Sequence, residues 1–270
     1  DIDGVLRGKY MHVDKFLKSI ESGYGFCDVI FGWDSSDDLY EFKTSDEQNL
    51  FTGWHTGYPD QTVRIILDSQ RTIPFERNTP FFLSELKDGE VCPRNALKKT
   101  LELLKELGFK GKSALEYEFF LFKETPHSVR EKDFQNLASF TPGMFGYSML
   151  RNSVHSELFQ EILEMCESMD LPLEGLHTET GPGVLEAAIA ADETLKSADK
   201  AVLFKTFMKV LAQRKNLMAT FMAKWSEKYP GQSGHIHCSL MDLENNPVFS
   251  TKETGEMSEV MVNFLGGLQK

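Results

Sequence analysis

The sequence predicts an α+β protein in which a small, β-rich domain precedes a larger one built on an antiparallel sheet. Three observations carry this expectation. Up to about Ser84, short β-branched and aromatic runs are divided by Gly, Pro, Asp and Ser, the pattern of short strands and turns. From Val91 onward, stretches with helical period alternate with strand-length apolar runs. A Gly-Pro-Gly turn at 181–183 then joins two such runs as a hairpin, and helices alternating with hairpin strands indicate an antiparallel sheet. The expected domains are residues 1–85 and 86–270.

Taken in order, a helix is expected over 12–22, started near Val13 and Asp14 and stopped by Gly23. CDVIFGW (27–33) and TVRIILD (62–68) read as strands. Pro93 opens a helix on which Leu97, Leu101, Leu104 and Leu107 recur, and Gly108 ends it. ALEYEFFLF (114–122) reads as a strand. The segment 123–152, with Pro126, Pro142, Gly143 and Gly146, reads as a long substrate-facing loop. Ser153 is the expected cap of a helix with Leu158, Ile162, Leu163 and Cys166 on one face. A helix over about 192–214, a strand at LMATFMAKW (217–225) and another at SGHIHCSL (233–240) complete the series.

Composition excludes several classes of function. Apolar residues form 41% of the 270-residue chain and charged residues 26%, ordinary values for a globular protein. Acidic residues outnumber basic ones by 41 to 29 and give a net charge of −12. No basic stripe stands ready for phosphate backbones, so nucleic acid is not expected as a partner. Cys27, Cys92, Cys166 and Cys238 form no C-x-x-C pair and fit reduced thiols in a cytoplasmic protein. No 18-residue apolar run predicts a membrane span. The chain begins at Asp1 and ends on Gly266-Gly267-Leu268-Gln269-Lys270, which reads as part of a longer protein.

Polar residues then stand where apolar faces are expected. Glu116 and Glu118 are two apart on one strand, so both emerge on one face of the sheet, as do His235 and His237. Across the 181–183 turn, Glu179 and Glu186 read as directly opposed strand partners if the turn centres between Pro182 and Gly183. Like charges so opposed destabilise a hairpin by about 1 kcal/mol or less. Each motif alone is ordinarily a solvated strand face or a plain turn. Four carboxylates and two imidazoles together fit hard divalent ions, Mg²⁺ or Mn²⁺, and their number fits two ions. Neither a Walker loop nor a dinucleotide fingerprint is present.

ALEYEFF, HTETGPGVLEAAI (177–189) and FMAKWSEKYPGQSGHIHCSL (221–240), with DIDGVLRGKY at the start, resemble the glutamine synthetase superfamily, of the class I kind that includes γ-glutamyl-amine ligases. The resemblance implies a β-grasp-like N-terminal domain and a catalytic domain with a curved antiparallel sheet and flanking helices, of which the C-terminal part is absent here. It implies ATP-dependent phosphorylation of glutamate, followed by attack of ammonia or an organic amine on the γ-glutamyl phosphate. By position, Glu116 and His235 would hold one metal ion and Glu118, Glu179 and Glu186 another. His237 and Ser239 would meet the nucleotide's phosphates, Gly231 glutamate, and Tyr147 of MFGYSMLRNS the substrate side. Within GWDSSDDLY (32–40), Asp34 would take the ammonium proton, with Asp37 and Asp38 as rivals. Pro230 stands where the family has asparagine, which leaves room for an acceptor larger than ammonia. A homo-oligomeric ring, commonly a dodecamer, is further implied. A catalytically idle family member and a two-metal hydrolase are the alternatives.

Overall fold

The computed structural model describes residues 1, 3–40, 52–89, 91–251, 253 and 255–270. The chain divides into two compact units, Asp1–Thr100 and Leu101–Lys270.

In the first unit, helix α1 (Val13–Ser22) is capped by the His12 side chain and ends at Gly23 with φ 72°, as its sequence signals predict. Strand β1 (Tyr24–Cys27) pairs antiparallel with β2 (Asp60–Ile65), and β3 (Arg71–Ile73) forms a hairpin with β4 (Thr79–Phe81). β5 (Ser84–Leu86) pairs with the other edge of β2. CDVIFGW is not a strand beyond Cys27: residues Asp28–Phe31 form a 3-10 turn. The Asp28 carboxylate is buried and accepts from Thr52 Oγ1 at 2.8 Å and Gln61 Nε2 at 3.4 Å. Satisfying that buried charge turns the chain inward.

Helix α2 (Pro93–Glu106) starts at its proline and is followed by Gly108 with φ 87°. Leu107, read as part of its apolar face, is exposed instead. The second unit is organised by β6 (Phe109–Phe122), β7 (Leu173–Thr178), β8 (Val184–Glu193), β9 (Met218–Thr220) and β10 (Gly234–Asp242). Their order is β10-β6-β8-β7, all antiparallel, and β9 pairs with the far end of β6. Helix α6 (Thr194–Arg214) covers one face, where Phe204 stacks on Tyr117 with centroids 6.1 Å apart and meets Phe119 edge-on at 6.0 Å. Alternation along β6 therefore sends Tyr117 and Phe119 towards α6 and Glu116 and Glu118 to the opposite face.

Four sequence expectations change here. Residues 123–152 are not one loop, since they contain helix α3 (Pro126–Glu131) and the start of α4 (Met149–Val154). Glu124 organises the first of these by accepting from Ser128 Oγ, Lys132 Nζ and the Ala138 N–H. Ser153 lies inside α4, which Ser148 caps, and helix α5 (Ser156–Ser168) begins only after His155. Of α5's predicted face, Leu158, Ile162 and Cys166 are buried and Leu163 is exposed. Pairing of LMATFMAKW stops at Thr220 because Phe221 packs beside Tyr117, Phe119 and Phe204.

Candidate active site on the open sheet face

Four strands deliver one band of polar side chains. In the sheet register, His235 on β10 is opposite Glu116 on β6, Glu118 on β6 is opposite Glu186 on β8, and Glu186 is opposite His177 on β7. Farther along the same face of β6 stand Phe120 and Phe122, fully buried with Val184 and packed against the partly buried Trp225. The charged residues thus occupy the boundary at which an apolar face gives way to an open one.

The hairpin register differs from the one its sequence predicts. Glu186 is opposite His177, and Glu179 lies beyond β7 with its N–H donating to the Val184 carbonyl at 3.0 Å. The turn therefore centres between Gly181 and Pro182. Gly183 fixes this arrangement. Its carbonyl accepts the Leu121 N–H at 2.8 Å, its own N–H donates to Thr141 Oγ1 at 3.1 Å, and a β-carbon there would lie 2.4 Å from the Leu121 carbonyl oxygen. The carboxylate directly opposed to Glu186 is Glu118, one strand to the other side.

Among the described residues, two groups of side chains bring ligand atoms within 4.8 Å of one another: Glu116, Glu186 and His235, and His177, Glu179 and Glu186. Glu186 belongs to both. His177 was passed over in the sequence. Its signal was its place two residues before Glu179, on the same side of the strand. Its Nδ1 lies 3.8 Å from Glu179 and its Nε2 3.8 Å from Glu186, too far for hydrogen bonds. Tyr147 stacks on the His177 ring at 4.3 Å, and its N–H donates to the Thr178 carbonyl at 2.7 Å.

Electrostatics divide the carboxylates. Glu116 pairs with His235 Nδ1 at 2.9 Å and His237 Nε2 at 3.2 Å. Hydrogen bonding to these imidazoles holds its carboxyl below the usual range and raises the proton affinity of His235. Glu186 goes the other way: burial pushes its carboxyl up, and Glu116, Glu118 and Glu179 add to the rise against the opposing pull of His177. Glu179 Oε2 is buried with no hydrogen-bond partner among the described residues. The Tyr147 hydroxyl lies in the same field, its proton held more tightly by Glu179 first and by Glu186, Glu116 and Glu118 after burial. Excess negative charge, an orphaned carboxylate oxygen and an oxygen-and-imidazole donor set fit a hard divalent cation.

Other expected site residues stand elsewhere. Ser239 lies on β10 two residues past His237, in register with Lys112. Gly231 sits in the 221–233 connection, where a β-carbon would meet the Ala223 carbonyl at 2.6 Å, so loop closure alone requires glycine. Asp34 belongs to the first unit. Its Oδ1 accepts the Ser36 and Asp38 N–H groups at 2.7 and 3.0 Å, and Asp37 pairs with Arg7 at 2.5 Å.

Residues 90–270 match the family model of the glutamine synthetase catalytic domain. The chain belongs to the glutamine synthetase superfamily. It is 44% identical over 274 residues to type-1 glutamine synthetase 2 of Dictyostelium discoideum, covering 99% of this chain and 51% of that protein. It is 36% identical over 275 residues to a glutamate–isopropylamine ligase of Pseudomonas sp., covering 99% of this chain and 59% of the ligase. The chain thus spans between half and three-fifths of these relatives. The ligand-free structure of GmaS shares the fold, with a TM-score of 0.79 at 21% identity over 99% of this chain and 59% of GmaS. Among the described residues, no helix is long and apolar enough to cross a membrane.

Proposed function

We propose that the protein is an ATP-dependent ligase that joins glutamate to ammonia or an organic amine through a γ-glutamyl phosphate. The observation that carries this reading is the band running from His235 through Glu116, Glu118 and Glu186 to His177, with the orphaned Glu179 oxygen beside it. Names of relatives support it, since they include both glutamine synthetases and a glutamate–amine ligase.

Glu116 and His235 would hold one Mg²⁺ or Mn²⁺ ion, and Glu118, Glu179 and Glu186 another, with His177 beside the second. Bound cations would offset the charge of the transferred phosphoryl group. His237 and Ser239 would meet phosphate oxygens, and backbone around Gly231 would border glutamate. The γ-carboxylate oxygen attacks the terminal phosphorus of ATP and ADP leaves. The amine lone pair then attacks the acyl carbon and phosphate leaves. An ammonium ion has no free lone pair, so a carboxylate must first take its proton; Asp34 is proposed for this, with Tyr147 on the substrate side. We further assign residues 1–85 to a β-grasp-like domain, and a cytoplasmic homo-oligomeric ring, dodecameric in type, as the working form.

The test is an acceptor screen of the full-length protein with ATP, glutamate and Mg²⁺ or Mn²⁺, against ammonium, methylamine, ethanolamine and polyamines. ADP release that requires both glutamate and an amine is expected, with the amide as product. Metal-dependent hydrolysis without ATP would overturn the ligase reading.

A further inference from the structure

Glu118 stands at a break in the sheet. On one side of β6, pairing with β10 stops at Tyr117 and pairing with β9 resumes at Phe120. Ser233 fills the gap. Its carbonyl accepts the Glu118 N–H at 3.2 Å, its N–H donates to Glu118 Oε2 at 3.0 Å, and its hydroxyl donates to Glu118 Oε1 at 2.5 Å. One residue thus satisfies a ladder N–H and gives a donor to each oxygen of the carboxylate. Glu118 is held from the β10 side of β6, whereas Glu186 lies directly opposite it on β8. A carboxylate offers about four lone-pair directions, so two remain after Ser233 has taken its share.

The residue is presented by a braced connection. Between β9 and β10, the Gln232 N–H donates to the Ala223 carbonyl at 2.8 Å, and its side-chain Nε2 donates to the carbonyls of Phe221 and Met222 at 2.7 and 2.9 Å. Trp225 packs edge-on against Phe122 at 4.9 Å and stacks on Tyr229 at 5.7 Å. The donors of Ser233 are therefore placed by the loop's own bonds, so little further ordering is required to orient Glu118.

We propose that Ser233 is a positioning residue for Glu118. It fixes the carboxylate in one orientation, with its remaining lone pairs available to a divalent cation shared with Glu186 and Glu179. This rests on the cation-holding reading of the site. Partners of this kind, which hydrogen-bond a ligand rather than the ion, commonly change metal affinity by about 10- to 100-fold.

The experiment is Mn²⁺ binding to the full-length protein, followed by electron paramagnetic resonance and calorimetry without substrates, in wild type, Ser233→Ala, Ser233→Thr, Glu118→Gln and the Ser233→Ala/Glu118→Gln double variant. Expected results are a loss of about tenfold or more in affinity at one ion in Ser233→Ala, recovery in Ser233→Thr, and no added effect of Ser233→Ala once Glu118 is Gln. An unchanged affinity in Ser233→Ala, or an equal loss in the Glu118→Gln background, overturns the positioning role while leaving the site reading intact. Absence of Mn²⁺ binding by wild type overturns the site reading itself, and the inference with it.

Discussion

Glu124 and Glu186 are carboxylates of the same unit with opposite surroundings. Glu124, 2% exposed, takes Lys132 Nζ at 2.5 Å, Ser128 Oγ at 2.6 Å and the Ala138 N–H at 2.8 Å. These donors, Lys132 foremost, hold its carboxyl down to about 2. Glu186 stands directly opposite Glu118 on the neighbouring strand and, among the described residues, meets no comparable cation, so burial and like charges push its carboxyl up. A matched carboxylate serves the fold. An unmatched group of them carries a cost that a fold alone gives no reason to keep, and that cost is offset only when something positive arrives.

The largest effect should come from breaking the unmatched side. Glu179→Gln or Glu186→Gln is expected to lower kcat/KM for amide formation about 1000-fold, roughly 4 kcal/mol, measured as amide produced in the acceptor screen. Breaking the matched side should instead destabilise the fold. Glu124→Ala leaves Lys132 without its acid and should cost about 3 kcal/mol, below the upper range for fully buried pairs because Lys132 is partly exposed, read by urea denaturation.

Metal should separate the two regions next. Mn²⁺ at 100 times its Kd should stabilise wild type by about 2.7 kcal/mol for each ion bound and stabilise Glu124→Ala equally, but should shift the Tm of Glu186→Gln less. Absence of that contrast between the variants would place the ion elsewhere.

pH gives the smallest and sharpest contrast, with opposite signs. Glu124 has a folded-state value below its unfolded one, so its contribution is present above about 4.5 and is lost as pH falls towards about 2. Glu186 has a folded-state value above its unfolded one. The folded protein binds its proton more tightly, and stability declines as pH rises through the ordinary carboxylate range. In chelator at neutral pH, Glu186→Gln should therefore be more stable than wild type, by about 1 kcal/mol or less, as a rise in Tm. A variant that loses activity while gaining stability would set the two carboxylates apart in one measurement.

The sequence alone determined the strand-borne donors. Spacing of two puts Glu116 with Glu118 and His235 with His237 on shared faces, because a strand alternates sides whatever its neighbours are. The helix limits at Gly23, Pro93 and Gly108 were equally legible, since glycine and proline act through the local backbone. Only tertiary structure decided which donors meet. The TGPG turn announces a hairpin but not its register, which Gly183 sets through contacts with Leu121 and Thr141, far away in sequence. Glu186 is therefore opposite His177 and Glu118 and not Glu179, and Ser233 reaches Glu118 across 115 residues. Local pattern fixes the side of a strand on which a residue stands, whereas its partner depends on long-range packing that no short stretch of sequence contains.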